Sequence, residues 1–143
     1  MRIIIKKILN MINLEIKKKP SLNLNLYSKY LKESIIHKKF YNIGAGNFYH
    51  PYWTNVDYSS KHYSKIQKCP FIPHDLMKIE PLPIENDSAE IVYSSHTIEH
   101  ISDDAVENMF SEVYRILKKN GVFRLTTPDA KLGYTAYLRN DRD

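Results

Sequence analysis

Residues 94–100 read Ser-Ser-His-Thr-Ile-Glu-His, and their spacing admits two chemistries. His96, Glu99 and His100 form an H-x-x-E-H pattern, in which two imidazoles one helical turn apart hold zinc beside a glutamate base. Alternatively the segment ends a strand, turns into a helix and floors a pocket. There the His96 imidazole could serve as the base for an acceptor hydroxyl. Zinc would need His96 and His100 on one helical face and a third ligand. Glu107 and Glu112 follow, but each also suits a solvated helix position. A strand immediately before the motif favours the pocket.

Three other positions carry chemistry. Gly44-Ala45-Gly46 lets the backbone turn tightly and approach a ligand with no Cβ in the way at either glycine. The same residues also suit a plain turn. Asp57 closes a short apolar run, where a carboxylate can accept both hydrogen bonds from a ribose diol or simply end a strand. A dinucleotide fingerprint wants a third glycine and a full helix before its acid. Only ten residues, Pro51 among them, separate Gly46 from Asp57, which leaves little room for that helix. A nucleoside without phosphates fits better. Asp75 follows a third apolar run.

The elements that must position these residues alternate. "FYNIGAG", "WTNVDYS", "CPFIPHDL", "AEIVYSS" and "GVFRLTT" read as strands, and "LYSKYLKESIIHKK" as a helix before the first of them. The clearest helix begins at Ser102, an N-cap followed by Asp103 and Asp104. Val106, Met109, Phe110, Val113 and Leu117 give it an apolar stripe, with Lys118 and Lys119 in its last turn and Asn120-Gly121 as its stop. Strands alternating with crossovers imply an α/β fold with a parallel sheet. Gly44, Asp57, Asp75 and His96 then fall at strand ends, on the rim where such sheets bind ligands. Tyr49, Tyr52 and Trp53 suit either a ligand border or core packing.

Charge is unevenly spread. Residues 1–40 hold ten Lys/Arg against two acids, while the remaining 103 hold eleven against fourteen. The basic character belongs to the N-terminal segment, where Ile5, Ile8, Leu9, Ile12 and Ile16 follow helical spacing. That segment suits a core-packed helix with a lysine face or peripheral contact with an anionic membrane. Lys6 and Lys7 interrupt it well short of a membrane span. No nucleic-acid module accompanies the charge. A single cysteine, Cys69, excludes an internal disulfide and fits a reducing, cytoplasmic setting.

Three blocks, "YNIGAGNFYHPYWTNVDYS", "HDLMKIEPLPIENDSAEIVYSSHTIEHI" and "EVYRILKKNGVFRLTTPD", together resemble the class I S-adenosylmethionine-dependent methyltransferases. Small members associated with surface-polysaccharide genes are the most similar in kind. The resemblance implies a Rossmann-like fold with strand order 3-2-1-4-5 over residues 40–143, preceded by a basic helical segment, 1–39. It implies cofactor contacts at Gly44, Ala45, Gly46, Asp57, Tyr58, Asp75, Leu76, Ser95 and His96, with His96 as the base for a hydroxyl acceptor such as a sugar. Asp57 would meet the ribose, and Asp75 with Leu76 the adenine. "LKKNG" departs from the family's usual "LKPGG". Family members continue past the fifth strand with a helix and two more strands, so the sheet is expected to be C-terminally incomplete. Its fifth strand would leave an apolar edge for a second copy or a completing partner. A domain that holds the cofactor without turnover is the alternative.

Overall fold

The computed structural model describes residues 27–48, 50–60 and 70–141. Most of the basic segment, with Tyr49 and Cys69, lies outside the described residues. A short helix α1 (Lys32–Ile36) leads into β1 (Phe40–Ile43), β2 (Trp53–Asp57) and β3 (Phe71–Pro73). A 3-10 turn at Leu76–Lys78 precedes β4 (Ala89–Ser95), and a second at Ile98–His100 follows it. Helix α2 (Asp103–Ile116), β5 (Leu117–Thr126) and α3 (Ala130–Arg139) complete the order. All four strand pairings are parallel, in the order β3-β2-β1-β4-β5. The expected architecture is thus the observed one, with β5 at an edge.

Register explains how the sheet buries both faces. Ile43 pairs with Val56, and Tyr41 with Val92, so their side chains share a face. On that side Met109, Val113 and Ile116 of α2 join Ile43, Val56 and Val92 in the core, with Leu82, Ile84 and Ala89 beside them. Burying a side chain such as Met109 or Ile116 contributes about 2 kcal/mol. Aromatic rings form a second layer. Phe40, fully buried, makes edge contacts with Tyr27 and Tyr30 and a tilted one with Trp53. Trp53 Nε1 donates to Tyr27 Oη at 2.9 Å, and Tyr52 packs against the same ring. Tyr52 and Trp53 therefore serve packing.

Helix α2 starts as expected, with the Ser102 hydroxyl accepting from Ala105 N. It ends earlier. Leu117 is already extended and pairs with Ala89; after an irregular stretch with Asn120 at φ 65°, pairing resumes at Val122 with Ile91. Lys118 and Lys119 are strand residues, not the last helical turn. Lys118 Nζ instead reaches Glu90 at 2.8 Å, and Ser34 donates to the same carboxylate, tying α1 to the sheet. The helix expected over "LYSKYLKESIIHKK" is also shorter, with five helical residues. Its apolar face is not continuous: Ile36 stands exposed while Ser34 is buried.

A polar clamp fixes the β3–β4 connection. Glu112, expected to be solvated, is buried and accepts from Leu82 N at 2.7 Å. Arg115 pairs with it and donates to Leu82 O, Ile84 O and Asn86 Oδ1. Hydrogen bonding from Arg115 holds the Glu112 carboxyl below its ordinary range against the opposing effect of burial. The apolar stripe of α2 is correspondingly shifted, running through Ala105, Met109, Val113 and Ile116, while Phe110 is exposed at the surface against Phe123. Among the described residues, no helix is long and apolar enough to cross a membrane.

Candidate cofactor site

Parallel strands all present their carboxyl ends on one rim, and the loops leaving β1, β2, β3 and β4 meet there. They enclose a cavity of about 780 Å³. Gly44, Ala45, Gly46, Asp57, Tyr58, Asp75, Leu76, Ser95 and His96 all line it. The structure therefore brings every residue expected to meet the cofactor to one place, although they come from four separate parts of the chain.

The β1 turn explains its own glycines. Gly44 has φ +66°, donates to Val56 O at 2.9 Å, and packs so tightly on Thr97 that an added Cβ would collide with that side chain. Thr97 is itself buried, its hydroxyl donating to Ser95 O at 3.2 Å. At Gly46, in contrast, an added Cβ meets nothing within 4 Å, so the space beside the turn is open.

Asp57 links this turn to β2. Its Oδ2 accepts from Gly46 N and its Oδ1 from Tyr58 N, both at 2.6 Å. Each oxygen keeps a further lone pair, so a carboxylate held this way can still accept from a diol. Asp75 caps the 3-10 turn by accepting from Met77 N at 3.1 Å, which presents Leu76 and Met77 as a cavity wall. Ser95 is backed by a hydroxyl chain, with Thr126 Oγ1 donating to Ser95 Oγ at 2.7 Å. Hydrogen bonding with Ser95, then with Thr126, pulls the Tyr93 phenol below its ordinary value, and Arg124 lies over the Tyr93 ring.

His96 stands where the strand breaks. Its φ is +52°, its backbone N–H donates to Thr126 O at 3.0 Å, and its side chain is 63% exposed. Glu99 Oε1 lies 3.2 Å from His96 Nδ1. The zinc reading loses its geometric basis here. His96 precedes a three-residue 3-10 turn, so His96 and His100 do not share the face of an α-helix. His100 is exposed and lines the cavity. His74, Met77, Thr97 and Ile101 line it too and were missed. Each sits within six residues of a recognised strand end, so the rim itself was the available signal.

The cavity fits S-adenosylmethionine in kind: an open turn for the amino-acid part, a carboxylate for the ribose diol, and an apolar wall beside Asp75 for the adenine. Comparison with known proteins adds family evidence. The chain spans 75% of a crystal structure from Methanococcus maripaludis, mmp1179, assigned as an S-adenosyl-L-methionine-dependent methyltransferase, with 88% of this chain covered, 20% identity and a TM-score of 0.48. It spans 64% of the chain in a complex of DhpI with SAM and HEP, with 87% of this chain covered, 13% identity and a TM-score of 0.51, which supports the shared fold. No curated protein sequence matches the chain. The sequence model of the methyltransferase domain matches residues 43–125, more than half of the chain, from the end of β1 to the end of β5. The chain belongs to this methyltransferase-domain family, the S-adenosylmethionine-dependent class I methyltransferases.

Proposed function

We propose that the protein transfers a methyl group to a hydroxyl of a small molecule or glycan, with His96 as the base. The observation that carries this reading is the placement of His96: an imidazole on a left-handed residue, at the cavity, immediately after β4. Non-glycine residues held at positive φ cost about 1–3 kcal/mol and concentrate at functional sites. The cofactor supplies an electrophilic methyl group and leaves as a neutral thioether. The chain's own residues then have limited work. Asp57 and the Gly44–Gly46 turn bind, Asp75 and Leu76 orient the adenine, and Ser95 and His96 border the acceptor. A hydroxyl that gains a methyl must lose its proton, and His96 accepts it.

A cytoplasmic setting accords with the single cysteine. A second reading, a domain that binds the cofactor without turnover or needs a completing partner, draws support from β5 lying at the sheet edge. Release of S-adenosylhomocysteine against a panel of sugars and other alcohols separates the two. Turnover with a hydroxyl acceptor, lost in His96→Ala while cofactor affinity is kept, is the expected result. Cofactor binding with no release against any acceptor favours the second reading.

A further inference from the structure

We propose that Glu99 is a positioning residue for His96, holding the imidazole proton on Nδ1 so that Nε2 stays bare as the ring's proton acceptor. The inference rests on the function proposed above and specifies how His96 would be prepared for it.

Three features support it. Glu99 Oε1 sits 3.2 Å from Nδ1, within ion-pair distance, so the carboxylate's negative charge opposes a bare lone pair on that nitrogen and favours a proton there. Which imidazole nitrogen carries the proton is set by the partner of the other one. The spacing is also imposed by the backbone. His96 N bonds to Thr126 O, the buried Thr97 packs on Gly44, and His100 N donates back to Thr97 O at 3.0 Å. This closes the 3-10 turn and brings residue 99 alongside residue 96. Finally, neither side chain is used elsewhere among the described contacts. Glu99 neither caps the turn nor pairs with a lysine or arginine, and the turn's N-cap, Thr97, makes no side-chain capping bond.

An exposed imidazole gains only a modest preference from such a contact, yet a modest preference is enough to set a tautomer. Neutral histidine in water favours the proton on Nε2, so the proposed state is the rarer one and diagnostic. In the proposed reaction the acceptor hydroxyl's proton moves to Nε2, the acceptor oxygen bonds the methyl carbon as that carbon's bond to sulfur breaks and leaves its electron pair on sulfur, and His96 becomes an imidazolium facing Glu99.

The test is two-bond nitrogen–proton correlation spectroscopy on the nitrogen-15-labelled full chain in mildly alkaline buffer, with His96 assigned by its disappearance in His96→Gln. The wild type is expected to show His96 mainly as the Nδ1–H form. Glu99→Ala should shift it mainly to Nε2–H. Glu99→Lys, whose ammonium would donate to Nδ1, should do the same and serves if the alanine variant folds poorly. A wild-type His96 in the Nε2–H form, or a tautomer unmoved by either substitution, overturns the proposal. Calorimetry with S-adenosylmethionine on the same samples keeps the questions apart. Failure of the wild type to bind counts against the proposed function, whereas binding with an unmoved tautomer counts against Glu99 alone.

Discussion

Gly46 N donates to Asp57 Oδ2 at 2.6 Å, a bond between the β1 turn and the end of β2. Asp57, which binds the ribose in the proposed function, is therefore also a brace for the turn beside it. Because Tyr58 N donates to the other oxygen, the carboxylate arrives at the cavity already oriented. A preformed acceptor loses less freedom on binding than a mobile one, which favours affinity.

Gly44→Ala is expected to destabilise the fold by about 3 kcal/mol, combining a left-handed alanine with overpacking on Thr97. Denaturant unfolding measures it. Gly46→Ala, where nothing lies within 4 Å, should lose less stability while filling space beside the cavity. Equal losses at the two positions would contradict the packing described.

The Glu112–Arg115 clamp makes stability depend on acid. Arg115 keeps the Glu112 carboxyl below its ordinary value of 4.5 in the folded protein. A depressed folded-state pKa contributes stability that is complete above the unfolded value and fades as pH falls through the folded one. Denaturant midpoints should therefore drop as pH is lowered below about 4.5, and Glu112→Gln should flatten this dependence. At neutral pH the same substitution is expected to cost about 2 kcal/mol, because a charge-assisted network is broken and Arg115 loses its counter-ion.

His96→Gly should raise stability by about 1 kcal/mol, since the glycine removes a left-handed histidine whose side chain is largely exposed. Thermal and denaturant unfolding report the gain. A loss of stability would mean that the imidazole contributes to packing rather than standing under strain at the site.

Much of the fold was legible because its signals are local and repeated. Apolar runs ending in Gly44, Asp57, Asp75 and His96 mark both the strands and the rim, and three motif blocks in order imply the strand order. The misread elements were decided by contacts distant in sequence. Lys118-Lys119-Asn120-Gly121 has the composition of a helix stop, yet pairing of Leu117 with Ala89 and capture of Lys118 by Glu90 turn it into an irregular strand. Glu112 looks solvated by type, and its burial follows from Arg115 one turn later and the Leu82 amide, thirty residues away. His100 reaches the cavity because residues 98–100 form a 3-10 turn, a geometry that its H-x-x-E-H spacing does not announce.

The central claim is that loops from four strands grip an adenosyl sulfonium on one rim, and titration calorimetry with S-adenosylmethionine tests it most directly. The wild type is expected to bind, and Asp57→Ala to bind at least about tenfold more weakly, equivalent to about 1.4 kcal/mol, with its fold retained. No heat of binding for the folded wild type, or equal affinity in the two proteins, would contradict it.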